Sequence, residues 1–189
     1  MPTRPDRLSL GFTLIEMLVA IAIISALLAV GAPSISSFLR SSRLSAAAGS
    51  HYDALRYAKS KAAQINHFVV LCPNHGACGT TSDWLSFGSK LVDGNDSSIV
   101  YRSWPPVGAG ALLSTSASIA SITFNPDGST DLSGSHFFKF CDASANSVAA
   151  GRSVVVNGAG FISMAVANSS SSSTSSSVEA YKPCQSPSA

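Results

Sequence analysis

Residues 11–32 read GFTLIEMLVAIAIISALLAVGA, and everything else in the chain is organised around this stretch. It is apolar except for Thr13, Glu16 and Ser25, and it follows a short polar segment carrying Arg4 and Arg7. Basic residues beside a hydrophobic run stay on the cytoplasmic side of a membrane. From Phe12 to Ala32 a helix rises about 32 Å, which matches the hydrocarbon thickness of a bilayer. The reading is a single span with the remainder of the chain on the far side. A cleaved secretory signal explains it less well, because the run is longer than such a signal needs and no A-x-A site precedes an abrupt change to polar sequence. Glu16 is the unexpected residue: an uncompensated carboxylate within a span costs a few kcal/mol, so an acid there points to a function.

Past residue 32 the pattern changes from uniformly apolar to one-sided. Leu44, Ala48, Tyr52, Leu55, Ala58, Ala62 and Ile65 recur at steps of three and four, the spacing of one buried helical stripe. The helix is expected to continue to about Gln64, with a kink at Pro33, where one backbone hydrogen bond is lost. Residues 12–66 carry a net charge of +3 and residues 67–189 a net charge of −2. Exposed helical charges are ordinarily a solvated face, but opposite signs on two parts of one subunit also suit docking between subunits. The whole chain has 189 residues, 46% hydrophobic and 12% charged, with a net charge of +2. That is enough apolar material for one modest core, and too little charge for a protein built to coat nucleic acid.

From His67 onward the runs become short and β-rich: 67–71, 98–103, 119–124, 137–141, 153–156 and 161–166. Asn125-Pro126-Asp127-Gly128 is a turn, and Asn157-Gly158 between two apolar runs is a hairpin signal. The fold class is therefore α+β: a long N-terminal helix, its first half transmembrane, packed on a small antiparallel β-domain. The expected divisions are a leader at 1–11, a membrane and assembly helix at 12–32, an amphipathic helix at 33–66, a β-rich domain at 67–167 and a Ser-rich C-terminal segment at 168–189.

Four cysteines, Cys72, Cys78, Cys141 and Cys184, stand on the expected outer side of the membrane, where disulfides persist. Spacing favours Cys72 with Cys78 and Cys141 with Cys184, the second pairing tethering the C-terminus across NSSSSSTSSS at 168–177, a tract too polar to form a core element. Cys72, His75 and Cys78 also hold zinc-ligand chemistry, but the spacing exceeds C-x₂₋₄-C and no second pair completes four ligands, so no metal and no cofactor are expected. There is no G-x-S-x-G elbow and no phosphate-binding glycine loop, and His51, His67 and His136 are expected to be surface or half-buried residues rather than general bases. An enzyme is not expected.

Gly11-Phe12-Thr13-Leu14-Ile15-Glu16 ahead of an apolar helix resembles the class III signal of type IV pilins and type II secretion pseudopilins. LCP at 71–73, ITFNPDG at 122–128, FFKFCD at 137–142 and GRSVVVNGAGFISM at 151–164, in that order, resemble the FimT/FimU and GspH group of minor pilins and pseudopilins. The resemblance implies cleavage by a prepilin peptidase after Gly11, methylation of the new amine of Phe12, and pairing of Glu16 with a neighbouring subunit's N-terminal amine during assembly. It also implies an inner-membrane precursor with a periplasmic domain that moves into a filament. Its partners would be other minor and major pilins and an assembly platform in the inner membrane. The function implied is a minor pilin that initiates or caps a type IV pilus, with a type II secretion pseudopilin as the alternative. Some FimT-type pilins bind DNA through a C-terminal Gly-Arg-x-Arg element. Here the comparable positions, Gly158-Ala159-Gly160-Phe161, hold no arginine, which makes DNA the less favoured partner.

Overall fold

The computed structural model describes residues 12–108, 111–116, 118–142, 151–167 and 184. Its first element, α1 (Leu14–Ile65), is one 52-residue helix. Thr13 starts it: the backbone N–H of Glu16 donates to Thr13 Oγ1 at 3.3 Å, meeting one of the donors that a helix start leaves unpaired. Asn66 ends it in the left-handed region at φ 49°, with the N–H of His67 donating back to Ala62 O at 3.2 Å, a closing turn that satisfies an orphan carbonyl. The end at Ile65 lies one residue beyond the expected one. The helix runs on through position 33, but the side chain of Pro33 is outside the described residues, and the expected kink stays an expectation.

The chain divides into two compact units, residues 1–39 and 40–189. In the first, every large apolar side chain from Leu14 to Leu28 is at least half exposed, from 79% at Leu14 to 50% at Val19. Such a helix has no apolar stripe to turn inward, the pattern of a segment meant to be surrounded. Ser25 meets its own need by donating to Ile21 O at 2.7 Å. Among the described residues no helix is long and apolar enough to cross a membrane; the expected span to Ala32 includes residues 29–32, whose side chains are not described.

In the second unit, α1 is followed by β1 (Val69–Pro73), the short α2 (Trp84–Phe87), β2 (Ser89–Asp93), β3 (Val100–Trp104), β4 (Ala111–Thr115), β5 (Ile122–Phe124), β6 (Ser135–Asp142), β7 (Gly151–Asn157) and β8 (Ile162–Ala167). They form two antiparallel four-stranded sheets, ordered β3-β2-β1-β5 and β4-β6-β7-β8. Strands β2 and β4 and helix α2 were not among the expected runs; SKLVD and ALLST are too short and mixed to stand out by periodicity alone.

The core lies between the helix and both sheets. Leu44, Ala48, Ala54, Leu55, Ala58 and Ala62 meet Leu71, Leu91, Ile122 and Phe124 from one sheet and Phe138, Phe140, Val154 and Val156 from the other. Alanine at 48, 54, 58 and 62 lets the helix backbone approach closely, while the aromatic and β-branched strand residues supply the area, each worth about 1.5–3 kcal/mol when buried. Tyr52 and Ile65, expected in the buried stripe, pack at its margin.

Candidate functional site

Two regions carry the residues that the sequence singled out. The first is the start of α1. Gly11 lies outside the described residues; Phe12 precedes the helix and is 80% exposed, and Glu16 sits in the first helical turn, exposed, without an ion pair among the described residues. A carboxylate in the first turn is favoured by the helix dipole. It stands four residues from the Phe12 amine that cleavage after Gly11 would create, on a stretch of helix that exposes apolar side chains on every side as far as Leu28.

The second region is the domain. The structure joins Cys72 to Cys78 and Cys141 to Cys184, and no cysteine is left free. This occupies both sulfurs of the disfavoured zinc alternative. His75 instead stacks its ring on Phe87, with centroids 4.1 Å apart. Among the described residues no three His, Cys, Asp or Glu side chains come together as a metal site would need.

His51 corrects the sequence reading, which placed it at or near the surface. It is buried on the core side of α1, its ring 4.3 Å from Phe138 and 5.4 Å from Trp84, and its Nε2 has no hydrogen-bond partner among the described residues. Burial in these aromatic surroundings disfavours the imidazolium and pushes its pKa down to about 4. Position 51 falls between the apolar positions 48 and 55, and that helical phase was the signal that could have found it. His67 and His136 do lie nearer the surface: His67 Nε2 is 3.0 Å from Asn95 Nδ2 and its Nδ1 3.7 Å from Asp93 Oδ2, and His136 Nδ1 is 3.1 Å from Ser116 Oγ.

The NPDG and NGAG turns meet on the helix. Lys59 Nζ donates to Gly160 O at 2.8 Å, and a Cβ built on Gly160 would lie 1.7 Å from Gly128 O. The hairpin between β7 and β8 forms as expected, but its left-handed residue is Gly160, at φ 71°, and not Gly158. Lys59 is thereby tied to backbone, and Phe161 at the same turn is 65% exposed.

The profile of the family described as type II transport protein GspH matches residues 47–160, from the domain half of α1 through β7 and including the two turns just described. The chain belongs to the GspH family. The prokaryotic N-terminal methylation motif matches residues 6–32, around Gly11, Phe12 and Glu16. A search of curated proteins finds no match. Among solved structures, the type IV minor pilin FimU of Pseudomonas aeruginosa in one crystal form is similar with a TM-score of 0.55 at 19% identity, over 68% of this chain and 92% of that one. A second crystal form of FimU gives 0.51 at 19% identity, over 64% and 90%. At this identity the likeness is one of fold: a pilin-like α+β fold, shared by this GspH-family chain and FimU. The family and fold are those of structural subunits of pilin type.

Proposed function

We propose that this chain is a minor pilin of a type IV pilus, which helps to initiate or cap the filament. The observation that carries the reading is the helix start: a segment apolar on every side, entered through a methylation motif, with one carboxylate in its first turn. Prepilin peptidase cleaves after Gly11 and the Phe12 amine is methylated. The precursor waits in the inner membrane with its domain in the periplasm. On assembly its α1 enters a bundle of neighbouring helices, where Glu16 compensates a neighbour's amine; a buried carboxylate is tolerable there because the opposite charge reaches it in a low dielectric. Pro33 supplies a weak point at which the helix adjusts to its neighbours. The partners are other minor and major pilins and the assembly platform.

A second reading, a minor pseudopilin of type II secretion, is favoured by the family's own description. Deletion separates the two. Loss of surface filaments with normal export of secreted enzymes is the expected result, and the opposite outcome establishes the secretion reading. DNA uptake is a third reading, weakened by the turn at 157–161; salt-sensitive retention of the full chain on DNA at physiological ionic strength would restore it.

A further inference from the structure

Two arginines follow the apolar segment and open the domain. Arg40 comes eight residues after Ala32, where the expected span ends, a rise of about 12 Å as helix, and Arg43 follows on the next turn. Ahead of them Ile35, Phe38 and Leu39 are 58%, 71% and 49% exposed, so uncovered apolar surface runs up to the first arginine. Positive charge at this place goes against the usual bias, which keeps Lys and Arg near a span on its cytoplasmic side. Side chains on a helix lean toward its N-terminus, and on α1 that is the direction of the apolar segment.

In the domain the same arginines border a groove of about 790 Å³, lined also by Leu44, Ala47, Val107 and Ala111. Arg40 Nε stands 3.7 Å from Asp142 Oδ2, and the Arg40 side chain is still half exposed. Arg43 is exposed and makes no ion pair among the described residues. Two guanidiniums and one carboxylate leave the groove with one positive charge in excess, set beside apolar side chains. A guanidinium takes a phosphate through two parallel N–H donors. A soluble anion would use the arginines and leave the apolar lining wet, whereas a phospholipid meets both, since binding at a membrane surface combines attraction to anionic lipid with burial of apolar area.

Resting on the membrane reading above, we propose that the Arg43 groove seats the headgroup of an anionic phospholipid from the outer leaflet of the inner membrane. Its phosphodiester meets Arg43 and Arg40, and the first methylenes of its chains lie against Val107 and Ala111. The lipid holds the domain to the membrane surface while the subunit waits there. The contact is lost when the chain leaves the bilayer, so it belongs to the stored subunit and not to the filament.

The test uses the full chain in nanodisc bilayers of equal parts phosphatidylglycerol and phosphatidylcholine. A photo-crosslinking residue is placed at Val107 and, in separate chains, at Leu27 and at Val100, and mass spectrometry reads the lipid adducts. The expected result at Val107 is an excess of phosphatidylglycerol adducts of about fivefold, the effect of one cation near an anionic surface. The excess disappears in Arg43→Glu and is largely kept in Arg43→Lys, which retains the charge. It also survives replacement of chloride by inorganic phosphate at equal ionic strength; its loss there would assign the groove to a free anion and overturn the proposal. Equal yields of the two lipids at Val107, the same excess at Val100, an excess indifferent to Arg43→Glu, or adducts with a second copy alone overturn it as well. Lipid adducts at Leu27 without any at Val107 overturn this site and leave the membrane reading standing, whereas their absence at Leu27 overturns the membrane reading itself.

Discussion

The two parts of α1 obey different rules. Leu14 to Leu28 show apolar side chains on all sides with nothing of their own unit to cover them, whereas Leu44 to Ala62 bury one stripe against two sheets and show Asp53, Arg56 and Ser60 on the other side. The first part is folded in its secondary structure and unfinished in its packing; the second is finished by its own domain. Substitutions in the first should therefore act on assembly and leave the domain's stability alone, and substitutions in the second should do the reverse.

The sharpest separation is expected from Glu16→Ala. Cleavage at Gly11 should persist, incorporation into sheared filaments should fall by tenfold or more, and the urea midpoint of the domain should not move. Normal filament levels would remove the compensating role of Glu16. On the other side of the comparison, replacing Cys141 and Cys184 by serine opens a bridge between residues 43 apart, which in the chain-entropy account costs about 4 kcal/mol, against about 2 kcal/mol for the short Cys72–Cys78 loop. Chemical denaturation of the three proteins checks the ranking, and equal losses would contradict it.

Next in size comes His51. Its folded pKa of about 4 lies below the unfolded value of 6.5, so the unfolded chain binds more protons between these limits. Stability is full above about pH 6.5 and declines as the pH falls toward about 4, by about 3 kcal/mol in all. His51→Leu should flatten this part of the stability profile; an unchanged profile would show that the imidazole is not the titrating group. Smallest is Asp83→Ala. Asp83 accepts from the N–H of Ser86 at 2.9 Å at the start of α2, and that bond holds its carboxyl below the usual range. Its removal should cost about 1 kcal/mol, read as a small shift in thermal midpoint.

How much of this was legible in the sequence follows the same division. At the start of α1 the methylation motif was legible, as its match over residues 6–32 shows, because it is a local pattern that needs no tertiary partner to be recognised. The helix stripe and the turns were readable for the same reason, and the order of GspH-like motifs carried the fold. Strands β2 and β4 were not, because their side chains alternate weakly and their assignment depends on pairing with β1 and β6. Nor was the burial of His51, a polar residue made apolar by Trp84, which is 33 positions away in the chain. The contact of Lys59 with Gly160 spans 101 residues, and no local pattern announces it.

The bond between Cys141 and Cys184 has a mechanical meaning for a subunit held by one end. Strands β7 and β8 lie wholly within the loop that it closes. Tension applied between α1 and the C-terminus passes from β6 through the sulfurs and bypasses both strands. The 43 residues of separation, about 150 Å if drawn straight, are removed from the length that the subunit can yield under load. On the pilus reading proposed above, a filament that includes this subunit would answer a pull by transmitting it rather than by unravelling.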